Sequence, residues 1–335
     1  MNRPLVSLVT PAYNQAQYLE QTIESVLSQD FHSFEYVVLD DGSTDATRDV
    51  LGRYTGRLRW ETHANMGQAR TLNKGWHMSS GDIVGYLSAD DILYPGALTA
   101  LVQALEERSC AVMVYPNYDL IDSQSRVLRR SVGREATFES LVIEQDNWVG
   151  PGALFWKRVL DAVGGWDPRL RLAPDRDFWM RMLAFGRLEM IPRTLAGYRI
   201  HPQSITHVGI DRDGASEYRR VTERYFDQSS IPDEQRRYRA RAIGRAYLTE
   251  ARIHLRAGRI ADCVRAVRHG LQLDSSLRPW RIGIALMRTL VSRPLLRFQS
   301  GIRHWAARWS RLSSVRSSQS TQPRAAKQPR QHRAK

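Results

Sequence analysis

The chain has 335 residues, 42% of them hydrophobic and 25% charged, which suits a soluble globular protein with one large α/β domain and an accessory segment. Its two cysteines, Cys110 and Cys263, exclude a disulfide framework or a structural zinc site, and no apolar run approaches the roughly 20 residues needed to cross a bilayer. Charge is lopsided: residues 1–210 hold 21 Lys+Arg against 25 Asp+Glu, while residues 211–335 hold 28 against 10, a net of −4 against +18.

Such asymmetry suggests two parts with different partners. The acidic part suits a metal. The basic part suits an anionic membrane or nucleic acid, or serves only solubility. The start, Met1-Asn2-Arg3-Pro4 followed by Leu5 to Val9, is too short and too quickly polar for a secretory signal, so a cytoplasmic protein is expected.

Leu5 to Thr10 reads as a buried strand, and Tyr18 to Leu27 as a helix with Leu19, Ile23, Val26 and Leu27 on one face. Tyr36 to Leu39 is the second strand and ends in Asp40-Asp41-Gly42. Ser43 and Thr44 offer N-caps for a helix through Val50 and Tyr54. A weaker strand over 58–61, a helix over 67–78 and a strand over 83–87 follow. Pro95 to Glu107 reads as a helix with proline in its first turn, and 111–115 as a fifth strand. This alternation predicts a mostly parallel sheet with helices on both faces. Between 118 and 198 the pattern breaks into short strands, turns and a helix around 178–185. Beyond 210 it is helical, with 239–257 and 260–271 forming an αα-hairpin about Gly258-Arg259. Residues 281–309 mix apolar residues with arginines, and 313–335 carry almost nothing apolar and are expected to be disordered.

In parallel sheets, ligands sit beyond the carboxyl ends of the strands. Here strand one runs into Pro11-Ala12-Tyr13-Asn14, strand two into Asp40-Asp41-Gly42-Ser43, and the 83–87 strand into Ser88-Ala89-Asp90-Asp91. Two acidic pairs at one sheet edge need a cation or donors to offset them. Magnesium or manganese shared with a substrate diphosphate meets that need. No G-x-G-x-x-G, P-loop, H-E-x-x-H, G-x-S-x-G or paired C-x-x-C is present, so carboxylate-plus-metal chemistry is what is left.

The ordered segments 6–14, 37–45, 65–68, 72–75, 81–82 and 88–91, extended by Gly164-Gly165-Trp166-Asp167, by Asp175-Arg176-Asp177-Phe178-Trp179 and by Tyr198-Arg199-Ile200-His201, resemble a family 2 inverting glycosyltransferase. The resemblance covers about residues 4–206. It implies the A-type glycosyltransferase fold, a Rossmann-like α/β architecture, over 1–210. A basic helical region over 211–312 and a tail over 313–335 follow. It also implies that Pro11 and Tyr13 lie against the nucleotide base, that Asp41 accepts an imide N–H of that base, and that Asn73 and Asp90 belong to the donor site. Asp91 would ligate a divalent cation, Mg or Mn, with His201 as a further ligand. Asp175 matches the family's catalytic base.

Two positions depart from the family pattern. Ser88 stands where many relatives carry Asp or Asn, and Pro174 stands where an acidic residue commonly precedes the base, which leaves Asp177 as the alternative base. The Q-x-x-R-W motif and membrane helices of processive synthases are absent, which implies single sugar addition.

The implied reaction moves one sugar from a nucleoside-diphosphate donor to a saccharide or lipid-linked acceptor in cell-surface polysaccharide or glycan synthesis. The base is uridine or thymidine by the imide argument, with guanine, which also offers a ring N–H, as a further alternative. Trp148, beside Gly150-Pro151-Gly152, is an acceptor-site candidate. The Arg- and Trp-bearing segment 281–311 resembles an interfacial helix on an anionic membrane surface. The rival readings are a scaffold that has lost catalysis and a nonspecific nucleic-acid binder working through the +18 half. No recognisable DNA or RNA module supports specific nucleic-acid recognition.

Overall fold

The computed structural model describes residues 5–204 and 210–280, with 282–284 and 286–287 beyond them. The described residues up to Pro279 belong to one compact unit, and the boundary expected at 210 lies within it. Most of 281–311 and all of 313–335, read above as a membrane-surface helix and a tail, lie outside the described residues.

In chain order the elements are β1 (Val6–Ala12), α1 (Ala16–Leu27), β2 (Phe34–Asp40), α2 (Thr47–Gly52), β3 (Arg59–Thr62), α3 (Gln68–His77), β4 (Ile83–Tyr86), β5 (Ile92–Leu93), α4 (Ala97–Glu107), β6 (Ala111–Ile121), β7 (Val127–Arg129), β8 (Leu154–Trp156), α5 (Lys157–Val163), α6 (Pro174–Met182), β9 (Arg187–Arg199), α7 (Arg212–Asp227), α8 (Asp233–Arg236), α9 (Arg239–Arg256) and α10 (Ile260–Leu273). A wide helical turn over Phe138–Ile143 lies between β7 and β8. The sheet runs β3-β2-β1-β4-β8-β6-β9-β5, with β7 paired to β6. The β3-β2-β1-β4 half is parallel, β8 is antiparallel to both its neighbours, and β6 and β9 run parallel.

The central strands are apolar on both faces because helices cover both. Val6 and Leu8 of β1 enter one core layer with Leu19 and Ile23 of α1 and Leu101 of α4, while Val9 enters the opposite layer with Leu72 and Trp76 of α3. Alternate residues of β2 divide the same way, as the two-residue period of a strand requires.

Several local expectations change. Neither Ser43 nor Thr44 caps α2, which starts at Thr47 with no side-chain cap on its N-terminus; both serve the loop crossing to β1 instead. Pro95 precedes α4, which starts after Gly96 in the left-handed region at φ +77°. The fifth strand, β6, runs on to Ile121 through register shifts around Pro116 and Asn117, where a proline is tolerated in a ladder. The irregular 118–198 region contains the 13-residue β9, and its helix starts at Pro174, with proline at N1, rather than near 178.

In the C-terminal helices many arginines are internally paired: Arg212 with Asp262, Arg219 with Glu250, Arg220 with Asp213, Arg224 with Asp167 and Asp177, Arg239 with Asp227, and Arg241 and Arg245 with Glu144. No helix among the described residues is long and apolar enough to cross a membrane.

Candidate active site

The loops after β1, β2 and β3 are laced together. Asn14, at φ +53°, donates its backbone N–H to Ser43 Oγ (2.8 Å), and its side-chain oxygen accepts the N–H of Thr44 (2.8 Å). Gln15 N–H reaches Thr47 Oγ1 at 3.0 Å, and Ala16 N–H reaches Asp45 Oδ2 at 3.1 Å. Pro11 is buried within β1, whereas Tyr13 stands at the rim, 47% exposed.

The two carboxylates after β2 do different work. Asp40 is fully buried and accepts from Ser43 N–H, Arg48 Nε and Thr62 Oγ1 at 3.0, 3.0 and 3.1 Å. Burial pushes its carboxyl up, but these donors outweigh burial and hold it below the usual carboxylate range. Asp41 accepts the N–H groups of Met66 and Gly67 at 2.7 and 2.9 Å, which fixes the turn entering α3. His63 Nδ1 lies 3.5 Å from Asp41, a neighbour that sequence reasoning missed. Gly42 is required at its place: φ is +75°, and a Cβ there would stand 2.8 Å from Asn65 N.

After β4 the two carboxylates face opposite ways. Asp91 is buried and accepts the backbone N–H of Arg199 at 2.8 Å. Burial, then the adjacent Asp90, raises its carboxyl well above the ordinary value, against Arg199. Asp90 keeps a fifth of its side chain exposed and meets His201, whose Nε2 lies 2.9 Å from Asp90 Oδ2. His201 is itself buried, its ring 4.7 Å from that of Tyr18. Arg199 anchors this end of β9 by donating to the carbonyls of Asp90 (2.6 Å) and Asp122 (2.9 Å) and to Gln21 Oε1 (3.0 Å).

A carboxylate oxygen facing an imidazole nitrogen is a donor set that fits Mg or Mn when substrate oxygens and water complete the shell. Among the described residues no three His, Cys, Asp or Glu side chains gather to cage a cation alone. The structure therefore brings Asp90, rather than Asp91, to His201.

Asp175 opens α6. It accepts the N–H of Arg176 at 2.7 Å and the side-chain amide of Asn147 at 2.8 Å. Burial pushes its carboxyl up, these donors and the Arg176 charge oppose it, and the result lies above the ordinary value. The hydroxyls of Tyr86 and Tyr198 feel the charges of Asp90, Asp91 and Asp175 together, and burial with that charge raises both. Tyr86 and Tyr198 are thus electrostatic neighbours of both the 90–91 pair and Asp175. Asp177 points elsewhere: Arg181 Nε and Arg224 Nη2 hold it at 2.9 and 2.8 Å.

Both polar atoms of the Asn73 side chain are engaged within the protein. Its amide nitrogen donates to the Trp166 carbonyl and its oxygen accepts the Trp166 N–H, both at 2.8 Å, clamping α3 to the Gly164-Gly165-Trp166-Asp167 turn. Trp166 and Trp179 are buried in an aromatic cluster with Trp76, Tyr86, Phe155 and Phe178. Trp148 is half-buried, with the Arg134 guanidinium 5.0 Å over its ring.

Residues 7–163 match the sequence model of Glycosyl transferase family 2. That stretch belongs to glycosyltransferase family 2. The family domain carries Asp41, Asn73, Asp90 and Asp91, while Asp175 and His201 lie beyond the matched residues. An uncharacterized glycosyltransferase of Nostoc sp., alr2836, is 30% identical over 209 residues, covering 58% of this chain and 65% of its own. The chain thus spans about two thirds of that relative's length.

Solved structures similar to the family domain and its helices include Staphylococcus aureus TarS 1-349 in complex with UDP-GlcNAc, with a TM-score of 0.58 and 16% identity over 80% of this chain and 92% of that one. Another is the mannosyltransferase PcManGT of Pyrobaculum calidifontis in complex with GDP-Man and Mn2+, with a TM-score of 0.54 and 20% identity over 88% and 87%. The fold is the A-type glycosyltransferase fold with a helical extension.

Proposed function

We propose that this glycosyltransferase moves a single sugar from a nucleoside-diphosphate donor to a saccharide or lipid-linked saccharide acceptor, with inversion at the anomeric carbon and with a divalent cation. The observation that carries the reading is the meeting of Asp90 and His201 in the electrostatic neighbourhood of Asp175, around Tyr86 and Tyr198.

Asp41 keeps lone pairs beyond those used by Met66 and Gly67, so it can also accept an imide N–H from the base. In this reading Pro11, at the end of β1, and Tyr13, in the loop that follows, lie against that base. Asp90 and His201 are the residues that would hold the cation, and the cation would stabilise charge developing on the diphosphate leaving group. Asp91 supports Asp90 from inside by fixing the end of β9.

Asp175 is the base: its carboxylate takes the proton of the acceptor hydroxyl as that oxygen attacks, and its raised affinity for protons suits the task. Asn147 and the Arg176 N–H aim it. One displacement then inverts the centre, with no covalent enzyme intermediate. A uridine or thymidine nucleotide suits Asp41, and the neighbours solved with UDP-GlcNAc and GDP-Man support a nucleotide-sugar donor in general.

Contact with an anionic membrane through 281–311 belongs to the same proposal and rests on sequence alone. Vesicles of anionic lipid at low and high salt test it; failure of the full chain to bind them at low salt removes it.

The chemistry is tested by nucleotide release from a panel of nucleotide sugars, with Mn2+ or with chelator, for wild type and Asp90→Ala. Release from one donor, lost with chelator and in the variant, is the expected result. Release that ignores both would overturn the cation site. The absence of both release and binding for every donor tried would overturn the transferase reading.

A further inference from the structure

Glu217 of α7 is 1% exposed, in a helix whose other charged residues face water or ion-pair partners, and the reaction as described does not use it. Its Oε1 accepts the N–H of Arg171 at 2.9 Å, and its Oε2 accepts those of Leu172 at 2.7 Å and Ala173 at 2.9 Å. These three residues lead directly into Pro174 and Asp175. Proline brings no N–H to that turn, and no side chain caps α6. One buried carboxylate therefore organises the backbone that delivers Asp175. A buried charge is a costly way to close a turn unless its geometry matters, since it must be satisfied by donors on all sides.

The same helices hold the other wall of Asp175. Thr222 Oγ1 of α7, which donates to the Tyr218 carbonyl at 2.8 Å, lies 3.3 Å from Gln145 Oε1. Gln145 Nε2 donates to the Val142 carbonyl at 2.6 Å and reaches the Ala242 carbonyl of α9 at 3.5 Å. Gln145 is buried and sits at φ +66°, a left-handed conformation uncommon for a residue with a side chain. Arg241 and Arg245 of α9 grip the preceding Glu144. Two residues after Gln145, Asn147 donates to Asp175. Seven residues after Glu217 along α7, Arg224 bonds Asp177 and Asp167. The guanidinium of Arg176 lies 5.4 Å over the ring of Tyr218, also on α7.

We propose that α7 and α9 are part of the catalytic machinery, with Glu217 as the positioning residue that sets the carboxylate of Asp175 against the acceptor. This rests on the reading of Asp175 as the base. Glu217 touches neither substrate; it acts through the 171–173 turn, while Gln145 and Asn147 act from the opposite side. The charge of Glu217 is what allows one side chain to gather three N–H groups, so a neutral isostere keeps the shape and loosens the grip.

The experiment compares full-length wild type, Glu217→Gln, Arg224→Gln and Asp175→Asn. Steady-state kinetics use the donor found by the panel above, and hydrogen–deuterium exchange is read on peptides covering 166–182. For Glu217→Gln we expect faster exchange over 171–177, an unchanged KM for the donor, and a kcat lower by about 10²-fold, the scale of an ångström-sized misplacement. A purely structural role would lower thermal stability and leave kcat per folded molecule unchanged, and that result overturns the proposal. So does unaltered exchange over 171–177. If Glu217→Gln fails to fold, Arg224→Gln, whose arginine is partly exposed, must show the same split between kcat and KM, and an unchanged kcat there overturns the proposal. Full transfer by Asp175→Asn would sink the base assignment itself, a failure distinct from a silent Glu217.

Discussion

His201 Nε2 stands 2.9 Å from Asp90 Oδ2, although 111 residues separate them in the chain. The end of β9, pinned by Arg199, brings the histidine back to the loop that follows β4. A buried imidazole against a partly exposed carboxylate is a different object from two surface residues near a turn, and the first prediction concerns it.

Asp90→Ala and His201→Ala are expected to abolish the response of nucleotide release to Mn2+, with Asp90→Ala lowering the rate by about 10²-fold or more. Both proteins should fold. Asp91→Ala should instead unfold more easily, by roughly 1–3 kcal/mol, because it leaves the buried Arg199 N–H unsatisfied. Mn2+ titrations beside thermal melts separate the two. An Asp91→Ala protein of normal stability would contradict the structural role.

Burial holds the Asp175 carboxyl above its ordinary range, so the acid limb of kcat should lie above that of an exposed aspartate, and activity should fall as pH drops through it. Stability runs the opposite way. A carboxyl that binds its proton more tightly folded than unfolded adds stability at low pH, and that contribution is lost as pH rises through the folded value. Asp175→Asn is therefore expected to melt higher than wild type at neutral pH while losing transfer. Melting curves and rates from pH 4 to 8 check both signs.

Asp177→Asn should behave differently from Asp175→Asn. It weakens the pairs with Arg181 and Arg224, which costs stability, and it leaves the acid limb of the rate profile in place. A profile that loses its acid limb in Asp177→Asn would exchange the roles of the two residues.

Asn73→Ala removes two hydrogen bonds to the Trp166 backbone and should cost about 1–3 kcal/mol in unfolding free energy. Nucleotide affinity should change little. Urea unfolding and isothermal titration with UDP distinguish this clamp from a donor contact.

Gly42→Ala should weaken nucleotide binding more than any other small substitution in the first loops. The residue sits at φ +75°, and the new methyl would press on the backbone at Asn65. Titration with UDP measures the loss.

The first 120 residues were legible because apolar runs and amphipathic stretches alternate there with little interruption, and each strand end carried its polar signature. β9 was not, because Pro192, Arg193 and Thr194 interrupt its pattern: Ile191 pairs with Pro116 and Thr194 with Asn117, so residues 192 and 193 bulge out of the ladder. The acidic pairs were readable as pairs. Which member faces outward was not, since Asp91 is turned inward by a backbone N–H donated from Arg199, more than a hundred residues away. The resemblance assigns Asn73 to the donor site, and its bonds to Trp166 could not be read from the sequence, since that partner lies 93 residues away. Glu217 left no trace at all: one acid in an arginine-rich helix looks like solvent-facing charge, and only the fold puts it under the 171–173 turn.

The hydrogen bonds that tie Asn14 to Ser43 and Thr44, Ala16 to Asp45, and Asp41 to Met66 and Gly67 are all made by the protein with itself. Fixing one residue's backbone costs on the order of 1–2 kcal/mol in conformational entropy, and here that cost is met in folding. On the proposed reading, a nucleotide arriving at these turns meets a seat already shaped, so little of its contact energy is diverted to ordering the chain, and association is expected to proceed in one fast step without a slow rearrangement behind it.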